Sequence, residues 1–397
     1  MRVAIARHIC IAALAAVGLA VGAWGTEPKP ASQLTELADP AAAVPPVVNL
    51  APGPEYSDQT RMFQGIPGIE RAAGGRLWAT WYGGGVAENH HNYVLLDTSD
   101  DDGRTWKRAL LIDPDGDGPI RAFDPCLWHD PQGRLWLFWA QRWHGGGRGR
   151  GELMAIRTEH SGDADAAWSK PQWICDGIMM NKPTVAADGR WLLPVAIWER
   201  EGSARVVEST DNGTTWRLLG AANVPKRDRE AEEHMIIQRK DGSFWMLVRT
   251  LYGIGESVST DGGKTWSEVA PSAITHTVAR FFIRRLNSGR LLLVKHVTPA
   301  AYAKGPSHLA RSHLTAFLSD DDGKTWSDGL LLDARSSVSY PDGVQSPEGL
   351  IYLIYDFDRG GAKQILMAVF TEEDVLAGKI ASPQGRLRVL VNQAGKR

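Results

Sequence analysis

The sequence predicts an all-β chain folded as a six-bladed β-propeller of four-stranded antiparallel blades, and three observations predict it. A strand–turn–strand signal with glycine in the turn recurs six times. A box of the form Ser-x-Asp-x-Gly-x-Thr-Trp recurs four times. The segments between are short and rich in β-branched and aromatic residues, which is blade composition rather than that of a helical solenoid.

The six signals are GGRLWATW at 74–81, QGRLWLFW at 132–139, DGRWLLPV at 188–195, DGSFWMLV at 241–248, SGRLLLVK at 288–295 and EGLIYLIY at 348–355. Their turn glycines are Gly75, Gly133, Gly189, Gly242, Gly289 and Gly349, separated by 58, 56, 53, 47 and 60 residues. One glycine per blade gives six blades.

The boxes run Ser99–Trp106, Ser209–Trp216, Ser259–Trp266 and Ser319–Trp326, with a decayed copy, SGDADAAW, at Ser161–Trp168. Each follows its blade's turn glycine at a similar distance. Ser and Asp are expected to bond the local backbone, Gly to take a positive φ, and Trp to wedge against the blade. A motif repeated in four blades is structural, because one active site does not need four copies. The last blade has no box and runs through FTEEDVLAGKI, which suggests a blade completed by a strand from the other terminus.

The chain ends flank this repeat region. Residues 1–25 read as an export signal: Arg2 and Arg7 precede an apolar run from Ile9 to Ala23, and Ala23-Trp24-Gly25 precedes a cut at Thr26. Residues 26–55, rich in Pro and Ala, read as an extended tether, and residues 56–397 as the propeller. The expected location is therefore secreted or periplasmic, with no stable membrane insertion after cleavage. Without Arg2 and Arg7, 42 of the 44 Lys and Arg face 46 Asp and Glu, so there is no basic field for nucleic acid. Cys126 and Cys175 remain in the mature chain, either as a disulfide or as two small buried hydrophobes. HGGGRGRG at 144–151 lacks the Lys-Ser/Thr of a phosphate loop and reads as a flexible loop. No cofactor and no metal is expected.

Equal offsets from the turn glycine should reach equal heights in equivalent blades. Nine residues before each glycine lie Ile66, Asp124, Met180, Glu233, Arg280 and Tyr340. Four of these are polar or ionisable on a ring that packing alone would make apolar, so the ring should be wet, mutually paired or ligand-binding. The strands leaving each turn end at Tyr82, Arg142, Glu199, Arg249, His296 and Asp356 on the same face. Arg249, Arg280 and Arg311 thus collect there, a set suited to gripping a planar carboxylate.

With these boxes and this site, the chain resembles the sialidase (neuraminidase) superfamily along nearly its whole mature length. In that family a Glu precedes an Arg by sixteen residues, as Glu233 precedes Arg249 here. Another family Arg precedes a box Ser by eight, as Arg311 precedes Ser319. The family's nucleophilic Tyr opens a motif matched by SYPDGVQ at Tyr340. The resemblance implies a retaining exo-glycosidase acting on glycans or glycoconjugates that carry a terminal acidic sugar, sialic acid or a relative. Tyr340 would be nucleophile and Glu233 its base, with Arg249 and Arg311 on the substrate carboxylate and Arg280 and Asp124 also contacting substrate. A neutral tyrosine suits an anionic sugar, since a carboxylate nucleophile would be repelled.

Two positions depart from the family. Its first Arg lies in Arg-Ile-Pro, where this chain reads Gly65-Ile66-Pro67; Arg61 or Arg280 is the candidate substitute. Its acid/base Asp is missing from the loop GGGVAENHHNY, where Glu88 falls at the matching place beside His90 and His91, a competing acid or metal pair. Two alternatives remain at this point: a glycosidase of the same fold for another uronate-bearing or neutral sugar, and a non-catalytic glycan-binding propeller.

Overall fold

In the computed structural model, residues 46–143, 151–300 and 310–395 are described. The expected signal peptide, most of the tether and nearly all of the glycine-rich loop (144–150) fall outside them. Among the described residues, no helix is long and apolar enough to cross a membrane.

Six antiparallel sheets follow one another along the chain. Blade one contains β1 (Val47–Asn49), β2 (Gln64–Arg71), β3 (Leu77–Gly83), β4 (Tyr93–Ser99) and β5 (Lys107–Asp113). Blade two contains β6 (Ile120–His129), β7 (Leu135–Trp143), β8 (Glu152–Thr158) and β9 (Gln172–Asp176). Blade three contains β10 (Thr184–Val185), β11 (Trp191–Ala196), β12 (Ala204–Ser209) and β13 (Arg217–Ala222). Blade four contains β14 (Met235–Gln238), β15 (Phe244–Thr250), β16 (Gly253–Ser259) and β17 (Ala270–Pro271). Blade five contains β18 (Phe282–Arg285), β19 (Leu291–His296), β20 (Leu314–Ser319) and β21 (Leu330–Asp333). Blade six contains β22 (Val338–Gln345), β23 (Ile351–Phe357), β24 (Gln364–Phe370) and β25 (Arg386–Gln393).

The closure differs from the sequence expectation. Blade six is completed by β25 from its own C-terminal end, which pairs with β24. The N-terminal strand β1 goes instead to the outer edge of blade one, pairing Val47 with Asp113 and Asn49 with Leu111. The tether reading therefore fails over Val47–Asn49. FTEEDVLAGKI has no box because it forms the helix α1 (Glu372–Ala377), with a Thr371/Asp374 capping box and Gly378 in the left-handed conformation.

Every blade buries both faces, so the hydrophobic core is divided among the junctions. Six clusters of buried side chains lie mainly between neighbouring blades; the one between blades one and two also takes in Tyr340 of blade six, and another joins blade six to blade one through Leu77, Trp81, Ile354 and Met367. Cys126 and Cys175 are free and buried in the cluster between blades two and three, so they act as small hydrophobes.

The boxes behave as built hairpins. Asp211 Oδ1 accepts from the Thr214 and Thr215 amides at 3.1 and 2.9 Å, Ser209 Oγ accepts from Gly213 N at 2.8 Å, and the other three intact copies repeat the pattern. In the decayed copy the Ser161 hydroxyl bonds His129 Nε2 at 3.0 Å instead.

Candidate functional site

Three of the six inner strands share a backbone device. In β2, β6 and β22 the register slips at a bulge. The residues at the slip, Ile66, Asp124 and Tyr340, have φ of 58°, 49° and 54°. Each is followed by proline, which has no amide to give to the ladder and is tolerated at such a bulge. A non-glycine residue with positive φ costs about 1–2 kcal/mol, and such strain concentrates where side chains must be aimed. All three side chains are buried; Ile66 and Tyr340 join Phe123, Tyr82 and Met180 in one apolar cluster.

Tyr340, Glu233 and Arg249 converge from blades six and four. The Tyr340 hydroxyl donates to Glu233 Oε1 at 3.2 Å, and Arg249 Nη1 donates to the same oxygen at 2.8 Å and to the tyrosine oxygen at 3.3 Å. Arg249 Nη2 reaches Glu230 at 3.2 Å. Glu233 lies in a charged stretch of sequence, yet it is buried. Burial, with the Glu233 charge behind it, pushes the Tyr340 phenol up to about 12 against the pull of Arg249, Arg311 and Arg359. The phenol is neutral at ordinary pH and needs a base to react.

Arg311 lies on the same face, its guanidinium carbon 5.8 Å from the Tyr340 ring centre and its Nη2 donating to the Val278 carbonyl at 3.3 Å. Asp124 is buried within the field of Arg121, Glu88, Glu233 and Arg359. Burial raises its carboxyl to about 8, with Glu88 and Glu233 adding to the rise and Arg121 and Arg359 opposing it, so it keeps its proton at neutral pH. Glu88 is half-exposed, and its Oε1 accepts from Arg359 Nη1 at 2.6 Å. Burial works to raise its carboxyl, but Arg359 and Arg121 outweigh burial and hold it below the usual range. The His90 and His91 rings lie 3.8 Å apart, and no metal-holding cluster is found among the described residues.

Arg280 sits in a buried polar network apart from the Tyr340 group. Its guanidinium is fully buried and occupied: Nε donates to Asn181 Oδ1 at 2.6 Å, Nη2 donates to the Met180 carbonyl at 2.9 Å, and Asp342 lies 3.7 Å away. It belongs to a polar network that also holds Lys182, whose Nζ reaches Glu70 at 2.7 Å, Asp342 at 3.2 Å and two backbone carbonyls. Its Nε and Nη2 are thus taken up by the protein itself. Arg61 is similarly taken up by Gln64, Asp58 and Asn392.

Sequence reasoning missed Arg359, in the loop after β23. Its guanidinium carbon is 5.2 Å from the Tyr340 ring centre and 5.8 Å from that of Phe63. Asp356, at the end of β23, signalled this place but matched no motif. Arg121 was missed too; it packs 4.1 Å over the Phe123 ring.

A cavity of about 480 Å³ opens at the turn end of the inner strands, bordered by Glu70, His129, Ser161, Arg284 and Arg285. It is remote in register from the tyrosine, and none of the residues nominated from sequence lines it. Tyr340, Glu233 and Arg249 cluster at the opposite end of these strands.

Residues 66–353 match the model of the BNR repeat-like domain family. A sialidase of Micromonospora viridifaciens is 25% identical over 353 residues, covering 76% of this chain; the chain spans about half of that relative, 52%. Among solved structures, a Dyadobacter fermentans protein of unknown function superposes with a TM-score of 0.62 at 16% identity, over 82% of this chain and 97% of its own. A Hadza microbial sialidase superposes with a TM-score of 0.61 at 18% identity, over 79% and 66%. At those identities the two structures speak for the fold alone. The family match, which spans most of the repeat region and includes Ile66, Asp124, Glu233, Arg249, Arg311 and Tyr340, places the chain among the sialidase-type propellers of the BNR repeat-like domain family.

Proposed function

We propose that this protein is a retaining exo-glycosidase that removes a terminal acidic sugar, sialic acid or a close relative, from glycans. The observation that carries the reading is the hydrogen-bonded group of Tyr340, Glu233 and Arg249 in the mouth. A tyrosine held neutral by burial and bonded to a buried carboxylate is a nucleophile with its base already in place.

In the first step the tyrosine oxygen attacks the anomeric carbon as Glu233 takes its proton, and Arg249 steadies the charge that develops on the phenol oxygen. Glu88, once it has taken up a proton from solvent, passes it to the departing glycosidic oxygen. In the second step a water, deprotonated by Glu88, displaces the tyrosine, which recovers its proton from Glu233, so configuration is retained. Arg249 and Arg311 hold the sugar carboxylate. Asp124, neutral at working pH, can donate a hydrogen bond to a sugar hydroxyl without repelling an anion. The leader at residues 1–25 would deliver the enzyme to the periplasm or medium, where such glycans are met.

The test is release of 4-methylumbelliferone from its α-sialoside by residues 26–397 and by the Tyr340→Phe variant. Turnover by the parent that falls at least about 10³-fold in the variant supports the reading. Equal turnover by both removes Tyr340 from the mechanism. No turnover by either removes sialic acid as the substrate.

A further inference from the structure

The family's carboxylate grip includes an arginine from the first strand of blade one, and this chain has Gly65 there. We propose that Arg359 is its replacement: an arginine delivered from blade six into the space that a side chain at position 65 would fill, completing a three-arginine grip with Arg249 and Arg311. The proposal rests on the reading that the site takes a carboxylate-bearing sugar.

The packing around Gly65 carries the argument. A Cβ at Gly65 would lie 2.2 Å from Arg359 Cδ and 2.6 Å from its Cγ. The stem of Arg359 therefore occupies the volume that an arginine rooted at 65 would need. Gly65 is not among the positive-φ glycines, so its backbone does not require glycine; the space does. The arrangement is fixed on both sides. The Arg359 carbonyl accepts the Gln64 amide at 3.3 Å, tying the blade-six loop to blade one beside Gly65. Asp356 Oδ2 accepts the Ile66 amide at 2.9 Å just after it.

The guanidinium then projects over Tyr340 and pairs with the Glu88 carboxylate. Glu88 shows that this end of Arg359 can bind a carboxylate. A sugar carboxylate on Arg359 would compete with Glu88 for the same nitrogens. Once displaced, Glu88 would lose the charge that holds it ionised and become a better proton donor to the leaving oxygen. One arginine would thus link recognition of the acid group to readiness of the acid catalyst.

The experiment measures binding of 2,3-dehydro-N-acetylneuraminic acid and its methyl ester by calorimetry to the wild type, Arg359→Ala and the Arg359→Ala/Gly65→Arg double variant. Loss of one charge-assisted arginine contact should weaken the acid by about 10- to 100-fold in Arg359→Ala and leave the ester within a few fold. The double variant, whose new arginine finds the vacated space and the Asp356 carboxylate within reach, should recover most of that loss. Acid affinity unchanged in Arg359→Ala, or acid and ester weakened alike, would overturn the assignment. So would a wild type that binds neither ligand. The catalytic reading fails separately, if Tyr340→Phe keeps full turnover on whichever aryl glycoside the wild type cleaves.

Discussion

Glu233 Oε1 lies 3.2 Å from the Tyr340 hydroxyl and 2.8 Å from Arg249 Nη1, so one carboxylate oxygen serves a proton donor and a cation at once. Replacing Glu233 by Gln keeps the shape and removes the base. The expected result is a fall in kcat of about 10²–10⁴ with KM within a few fold, because the interaction matters most as the phenol loses its proton. Steady-state kinetics on the cleaved sialoside check this. A change confined to KM would mean that Glu233 only positions the ring.

Lys182 occupies the opposite kind of site: buried, saturated and remote from the chemistry. Its ammonium stands between Glu70 and Asp342. Burial would raise the Glu70 carboxyl, but Lys182 and His129 overcome this and hold it at about 2. Lys182→Met removes the ammonium shared by both carboxylates, leaving Asp342 with Arg280 at 3.7 Å and Glu70 with His129, and should cost about 3–5 kcal/mol at pH 7. The loss should shrink toward pH 5, where an orphaned carboxyl can take a proton in the folded state. Urea midpoints at the two pH values measure it; a loss independent of pH would point to packing rather than charge.

The box glycine Gly213 has φ of 78°, and a Cβ there would meet Trp191 at 2.7 Å and Trp136 at 3.0 Å. The hairpin glycine Gly189 has φ of 85° and open space around it. Alanine at either pays the backbone term of about 1–2 kcal/mol, and at Gly213 it also overpacks two tryptophans, adding about 1–3 kcal/mol. Gly213→Ala should therefore be clearly the less stable in thermal unfolding. Equal losses would show that the indoles move aside freely.

The blades were legible because each blade is a local, repeated object: Gly75 to Gly349 and the boxes from Ser99 to Ser319 announce their hairpins within a few residues. The ring of Asp124, Glu233 and Tyr340 was legible for the same reason, since equivalent blades share a register. What was not legible depended on contacts between distant segments. Arg280 stands at the right offset, but Asn181 from the approach to blade three takes its Nε. Arg359 stands at no repeat position, and only its packing against Gly65, 294 residues away in the chain, reveals it. Closure by β25 rather than by β1 was hidden because a five-stranded blade one and a four-stranded blade six leave the same hairpin signals.

Asp124 carries a pH signature that one substitution can isolate. With its carboxyl raised to about 8 by burial, it is protonated in the native state over a range where the unfolded chain, at about 4, has already ionised. The folded state thus binds the extra proton between about pH 4 and pH 8, and stability from this group declines as pH rises through that window and levels off above it. His234 and His296 work in the other direction. Burial lowers them to about 4 and about 3, so they favour the fold above about pH 6.5 and cost stability as pH falls below it. Asp124→Asn removes only the first effect. Its stability relative to wild type should climb steadily from pH 5 to pH 8 in urea unfolding, while the acid-side decline set by the histidines stays unchanged. A difference that is flat across this range would place the Asp124 carboxylate in its ionised form within the native mouth, and with it would go the case for a neutral hydrogen-bond donor at that position.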